Sequence, residues 1–360
     1  MSELDAVLDH LRALVGFDTC NPPRNIRADA GLFPWLRQQL PGFRFQLEDS
    51  GNGCISLLAE RGEPELLFNF HVDTVPANEK WQRDPFRLQV EGDRAYGLGA
   101  CDIKGAAACM LAAVAQSDGP VALLFSSDEE AGNSTCIRNY LKHNRYRRVV
   151  VAEPTGAQAV LAHRGIGTAV VEFAGVPGHA SAARALEDSA IHRMGRWLDR
   201  ALRHVEQWSD SRYLNLGGIR FNAGRVVGGI KPNMIAGDCE LKFGLRSLPA
   251  QQPEALLNEL VALAEPGWIR HWETGFLAPA LPADDAPEAL QAGRALADEL
   301  GLPQGEAVDF WTEASLFSQA GCAALVFGPG DIAQAHTADE WVRLDQLETA
   351  LGHYRRILAA

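Results

Sequence analysis

The chain has 360 residues, 47% hydrophobic and 22% charged, the composition of an ordinary globular protein long enough for two domains. A net charge of −13 and a pI of about 5.3 repel phosphate backbones and anionic bilayers, so no nucleic acid and no membrane is expected as a partner. No apolar run reaches transmembrane length, and the start MSELDAVLDHLRALVGF carries acids where a signal peptide needs a basic flank, so a cytoplasmic enzyme is expected.

The first half alternates apolar strands with helical patterns. Residues 3–17 and 28–40 have helical spacing, and strands follow near 54–59, 66–70 and 86–90. The Ala-rich stretch 104–116 suits a tightly packed helix after a Gly-containing turn; 121–126 and 148–152 are further apolar strands, with a helix at 133–142 between them. This alternation predicts an α/β fold whose central, mostly parallel sheet is flanked by helices. After about residue 164 the texture changes. An alternating strand at 168–173 precedes a long amphipathic helix at 186–207, strands at 219–230 and 236–246, and a helix near 252–265. The α/β pattern resumes with a helix at 287–300, a strand at 323–327 and a helix at 343–359. The expectation is a discontinuous catalytic domain, 1–163 with 276–360, interrupted by an inserted α+β domain at 164–275. Seven cysteines, an odd number with no CxxC, imply neither a disulfide framework nor a thiolate zinc site.

Three apolar strands end in metal-type side chains. The run 66–70 leads into His71 and Asp73, the run 121–127 into Asp128, Glu129 and Glu130, and the run 148–152 into Glu153. One acid after a strand is usually a solvated loop residue or a helix cap. Three such ends in one parallel sheet lie side by side, at the edge where α/β proteins bind ligands. Carboxylates gathered in this way must protonate or find cations. In His71-Val72-Asp73, one side chain can hold a metal while the other orients it. The loop GLGACDIKG (97–105) resembles a dinucleotide loop only superficially, because its Gly spacing is wrong and Asp102 would face a pyrophosphate. Asp102 reads instead as an inward carboxylate able to bridge two cations, and His336 as the second imidazole. Imidazoles and carboxylates without thiolate suit zinc, cobalt or manganese, in one or two ions. Glu129, beside Glu130 but pointing elsewhere, is left over as general base.

The motifs HVDTVP, GACDIKG, SSDEEAG, VAEPT, GVPGHAS and QAHTADE follow one another from residue 71 to residue 340. In that order they resemble the co-catalytic zinc metallo-exopeptidases and deacylases, which include acetylornithine deacetylase, succinyl-diaminopimelate desuccinylase, aminoacylase and the glutamate-releasing carboxypeptidases. TEASLF (312–317) and GPGDIAQAHTADE (328–340) look most like the acetylornithine and acetylcitrulline deacetylase branch.

The resemblance implies that His71, Asp102 and Glu153 ligate one ion, and Asp102, Glu130 and His336 the other, as Zn(2+) or Co(2+). It implies that Asp73 orients His71 and that Glu129 moves the proton. It implies that His179 steadies the oxyanion, in dimers from the partner subunit. Arg246 and Asn222 or Asn233 would meet the substrate carboxylate. Gly244 departs from the pattern, standing where the family often has Asp in Asp-x-Arg, which leaves Arg246 less firmly positioned. The implied fold for the inserted domain is ferredoxin-like, a lid that also makes a homodimer. The implied reaction is hydrolysis of an N-acetyl-L-amino acid in arginine biosynthesis, with acetylcitrulline or acetylornithine as substrate. A related acylase, carboxypeptidase or dipeptidase is the alternative, and a non-catalytic binding protein on the same scaffold is disfavoured because ligands and base are all present. Lys104 and Glu313 lie near the site by motif and receive no role.

Overall fold

The computed structural model describes residues 3–284 and 286–360. The chain forms two compact units, one comprising Met1–Leu161, Ala286–Glu306 and Thr312–Ala360, the other Ala162–Asp285 and Ala307–Trp311.

The first unit is built on a six-stranded sheet in the order Arg44–Asp49, Ile55–Arg61, Val121–Ser126, Leu66–His71, Arg148–Val151, Ala323–Val326. The last four strands run parallel, and Ile55–Arg61 is antiparallel to both of its neighbours. Val121–Ser126 is buried throughout, as the apolar run Val121–Phe125 suits a central strand covered on both faces. Arg44–Asp49 falls outside the expected strands, although Arg44 to Glu48 alternates polar and apolar residues. It is an edge strand whose RFQLED segment keeps its charges toward solvent. The strand expected near 86–90 lies outside this sheet. Gln89–Glu91 pairs with Arg94–Tyr96, which pairs with Trp341–Arg343 in a separate antiparallel sheet.

Helix Lys104–Val114 is buried on every side and packs against Glu3–Val15 and Leu344–Ala359. Its small residues permit that approach: a Cβ on Gly105 would stand 3.3 Å from Leu347 Cδ2 of the second of these helices, and 2.5 Å from the carbonyl oxygen of Ala100 in the preceding loop. Under the sheet, Tyr354 meets Phe68 and Phe70 edge-on, with ring centroids 5.8 and 6.4 Å away.

The second unit follows the order strand Gly165–Ala174, helix Ala190–Glu206, strands Arg220–Gly228 and Asp238–Ser247, helix Pro253–Val261, strand Ile269–Ala278. The sheet order is Arg220–Gly228, Asp238–Ser247, Gly165–Ala174, Ile269–Ala278, with all neighbours antiparallel. This is the ferredoxin-like arrangement. Gly165–Ala174 alternates strictly between buried and half-buried residues. Its buried Ala169, Val171 and Phe173 join Phe243 and Leu245 around the fully buried Trp197. The strand Ile269–Ala278 escapes the sequence pattern because its register slips twice, between Ile269 and His271 and between Thr274 and Leu277, which breaks the two-residue alternation. The helix expected at 186–207 is interrupted at Ser189, giving Ala185–Asp188 and Ala190–Glu206.

Candidate active site

Strand Leu66–His71 runs between Val121–Ser126 and Arg148–Val151, with His71 opposite Ser126 and Asn69 opposite Val151. The chain therefore leaves all three strands at one edge, carrying Asp73, Glu129, Glu130 and Glu153 with it. His71 Nε2 lies 3.0 Å from Asp102 Oδ1 and 3.8 Å from Glu153 Oε1. His336 Nε2 lies 3.0 Å from Glu130 Oε2 and 3.4 Å from Asp102 Oδ2. Asp102 thus presents one carboxylate oxygen to each imidazole. One ligand-type atom from each of His71, Asp102 and Glu130 falls within 4.8 Å of the other two. His71, Asp102 and Glu153 are buried, whereas His336 is exposed and has a left-handed backbone with φ 60°.

The loop that carries Asp102 turns at Gly99, whose φ is +78° and whose Cβ, if present, would stand 2.7 Å from Thr74 Cγ2. His71 Nδ1 donates to the backbone oxygen of Asp73 at 3.1 Å, which leaves Nε2 aimed at the acids. The Asp73 carboxylate is 3.6 Å from the same Nδ1 and makes shorter contacts elsewhere. Its Oδ2 accepts from Asn21 Nδ2 at 2.8 Å and from the Glu130 amide at 3.0 Å, and its Oδ1 accepts from the Glu129 amide at 3.3 Å. Asp73 therefore holds the backbone of Glu129 and Glu130 as well as facing the imidazole.

Electrostatics in this cluster are unbalanced. Burial pushes Glu129 and Glu153 well above the ordinary carboxylate range, and neighbouring acids add to the shift while His71 opposes it. Burial also raises Glu130, with Asp102 adding and His336 opposing. At Asp102 burial works the same way, but hydrogen bonds from His336 and His71 prevail and hold its carboxyl low. At His71 burial disfavours the cation, yet the bonds to Asp102 and Asp73 and the charges of Glu153 and Asp102 raise it well above its usual value. Hydrogen bonds to Asp102 and Glu130 bring His336 up to about 10. Four acids here share two imidazoles, and Glu130 Oε1 is buried without a hydrogen-bond partner among the described residues. Added cations would relieve both deficits, so the donor set fits divalent metal.

Motif reading assigned no role to several further residues. Asn21 bridges Asp73 and the carbonyl of Ala131, each at 2.8 Å. Glu340, buried beside the Asp102 loop, accepts from backbone amides there. Lys104, buried, donates to the carbonyl of Phe17 at 3.1 Å, and burial lowers it to about 8. Glu313 accepts from the Ser126 hydroxyl at 3.2 Å, and burial raises it to about 8. Asn21 could not be placed from local pattern, because it acts on residues distant in the chain; the motif places Glu313 near the site but does not give its partner Ser126.

The second unit carries His179, Asn222, Asn233 and Arg246. His179 is exposed on the short strand Gly178–His179, with Nδ1 2.7 Å from Ser181 Oγ. The carbonyl of Asn233 accepts from the Ala180 amide at 3.1 Å, which ties these two loops together. Asn222 pairs with Gly244 across the strands and Arg246 with Arg220, so Asn222 and Arg246 share the sheet face opposite the buried Phe243 and Leu245. A Cβ at Gly244 would meet Thr168 Cγ2 at an ordinary 3.5 Å, so crowding does not explain the glycine there.

The profile of Peptidase family M20/M25/M40 matches residues 67–360. The chain is 52% identical over 359 residues to N-acetyl-L-citrulline deacetylase of Xanthomonas campestris pv. campestris, covering 99% of this chain and 98% of that one. It is 29% identical over 371 residues to acetylornithine deacetylase of Pasteurella multocida, covering 97% and 96%. Its fold matches the M20 family metallo-carboxypeptidase Sso-CP2 from Sulfolobus solfataricus with a TM-score of 0.74 at 17% identity, covering 98% of each chain. With a profile spanning most of its length and a relative sharing half of its residues end to end, the chain belongs to peptidase family M20/M25/M40.

Proposed function

We propose that this protein hydrolyses the acetyl amide of an N-acetyl-L-amino acid, with N-acetyl-L-citrulline as the favoured substrate, releasing acetate and the free amino acid for arginine biosynthesis. The observation that carries this reading is the end-to-end likeness to a deacetylase of that substrate. The cluster at the sheet edge supports the chemistry. His71, Asp102 and Glu153 would hold one Zn(2+) or Co(2+), and Asp102, Glu130 and His336 a second. When bound, such ions supply Lewis acidity toward water and the amide carbonyl. Glu129 takes a proton from the attacking water and returns it to the amine as the C–N bond breaks; its burial strengthens it as a base. Asp73 positions this base through its amide and keeps His71 in the Nδ1–H tautomer. Roles for His179 at the oxyanion, and for Arg246 with Asn222 or Asn233 at the substrate carboxylate, are supported by motif position alone.

We assign the second unit, near 164–275, the part of lid and homodimer surface. Arg220–Gly228 lies at a sheet edge, and Val226, Val227, Ile230 and Met234 in and beyond it are exposed, with Ile230 at 83%. An apolar strand edge of this kind is suited to cover by a second copy. No helix among the described residues is long and apolar enough to cross a membrane, and a biosynthetic role suits the cytoplasm. The test is a substrate panel of acetylcitrulline, acetylornithine, succinyl-diaminopimelate and a dipeptide, with metal content measured on the same protein. We expect acetylcitrulline to be turned over fastest, with activity lost to a chelator and restored by zinc or cobalt. Cleavage of the dipeptide with both acetylated amino acids untouched would overturn the reading.

A further inference from the structure

Glu340 is 2% exposed and immediately precedes strand Trp341–Arg343. Its carboxylate takes three backbone N–H groups from a loop more than 200 residues earlier in the chain. Oε2 accepts from Gly99 at 2.9 Å, and Oε1 accepts from Cys101 at 2.8 Å and from Asp102 at 2.9 Å. Its own carbonyl accepts from the Gly97 amide at 3.0 Å. Amides converging on one anion in this way form a nest. Here the anion is a side chain of the protein, and the nest is the loop from which Asp102 reaches both imidazoles. Glu340 also stands four positions after His336 on the same segment. A single carboxylate thus joins the segment of one imidazole to the loop of the acid shared by both.

The pairing of Trp341–Arg343 with Arg94–Tyr96 already ties these segments together by backbone bonds. The carboxylate adds the conformation of 99–102. Without it three amides would lack an acceptor, and the loop could turn Asp102 away from His71 or His336. A glutamine has one acceptor oxygen and would aim N–H at N–H.

We infer that Glu340 is a positioning residue, presetting the loop in which Asp102 faces His71 and His336 together and thereby setting the affinity of the centre for divalent metal. The inference rests on the metal reading above.

The test is zinc affinity of the full chain, measured by competition with a chromophoric chelator on wild type, Glu340→Gln and Asp339→Asn, each checked by circular dichroism and urea unfolding. Asp339 is the control, because it accepts from the amides of Gln82 and Arg83, both at 3.0 Å, on the same segment and makes no contact with the Asp102 loop amides. Glu340→Gln should lose about 10- to 100-fold in zinc affinity, as changes behind metal ligands do, while Asp339→Asn keeps the wild-type value whatever it does to stability. A folded Glu340→Gln that binds zinc like wild type overturns the inference, as does an equal loss in Asp339→Asn. Hydrogen exchange of the peptide spanning 97–104 in metal-free wild type decides the case if Glu340→Gln does not fold. Slow exchange supports a loop preset before metal arrives, and exchange at unprotected rates overturns it. Wild-type protein that binds no zinc defeats the metal reading itself, a result separable from any loss confined to Glu340→Gln.

Discussion

Replacing Asn21 tests whether Asp73 acts by holding the backbone of the base. Asn21 is 2% exposed, and its Nδ2 donates to Asp73 Oδ2 and to the carbonyl of Ala131, each at 2.8 Å. Asn21→Ala removes a bond to a charged acceptor, about 1.5–3 kcal/mol, and one to a neutral carbonyl, about 0.5–1.5 kcal/mol. Ala131 keeps a donor in Arg24 Nη1 at 3.2 Å, which places the expected loss at roughly 2–3 kcal/mol. Asn21→Asp is nearly the same shape but sets a second carboxylate against Asp73. Two like charges about 4 Å apart at an effective dielectric near 20 repel by about 4 kcal/mol, so Asp should be worse than Ala. That repulsion raises the folded-state pKa of the new acid above its unfolded value. The variant therefore keeps its stability below the unfolded pKa, about 3.9, and loses it as pH rises through the folded one. Urea unfolding at pH 5.5 and pH 8 should show the Asp variant falling behind Ala as pH increases. Turnover by either variant should drop, because Glu129 hangs from the same carboxylate by its amide. An Asp variant as stable as Ala at pH 8 would refute the reasoning.

Three other outcomes are expected. Glu129→Gln should lower kcat by about 10²- to 10⁴-fold with metal content unchanged by mass spectrometry, and a near-normal rate would remove Glu129 as base. Glu313, buried and raised from 4.5 to about 8, makes metal-free protein lose stability as pH rises through that interval, roughly 3–5 kcal/mol in all. Glu313→Gln should lack this slope, and parallel urea midpoints for the two proteins across pH 5 to 9 would show that Glu313 does not titrate there. Ile230→Asp, at an 83% exposed position, should convert the proposed homodimer to a monomer by light scattering without unfolding it; a mass unaffected by the charge would overturn the assignment of this edge as a dimer surface.

Local chemistry made much of this protein legible. The run Val121–Phe125 can be read because a central strand buried on both faces is a continuous apolar stretch. TAVVEF, within Gly165–Ala174, can be read because a sheet covered on one face alternates. Arg44–Asp49 escapes such a reading although Arg44 to Glu48 alternates, because the run is short and charged, and Ile269–Ala278 is hidden by its two register slips. A broken period such as that of Ile269–Ala278 leaves nothing for a sequence window to register.

The order of residues by itself determined which side chains with metal-binding chemistry follow which strands, and six ordered motifs carried the family. Only the tertiary structure decided how those side chains divide their bonds. Asp73, two residues after His71 in the motif, makes its shortest bonds to Asn21 and the amide of Glu130. Glu340, the last letter of QAHTADE, binds a loop 238 to 241 residues away. Spacing in sequence states what a residue can donate or accept. Which partner it meets depends on strand order and on loops closed over hundreds of residues, and no local period records either.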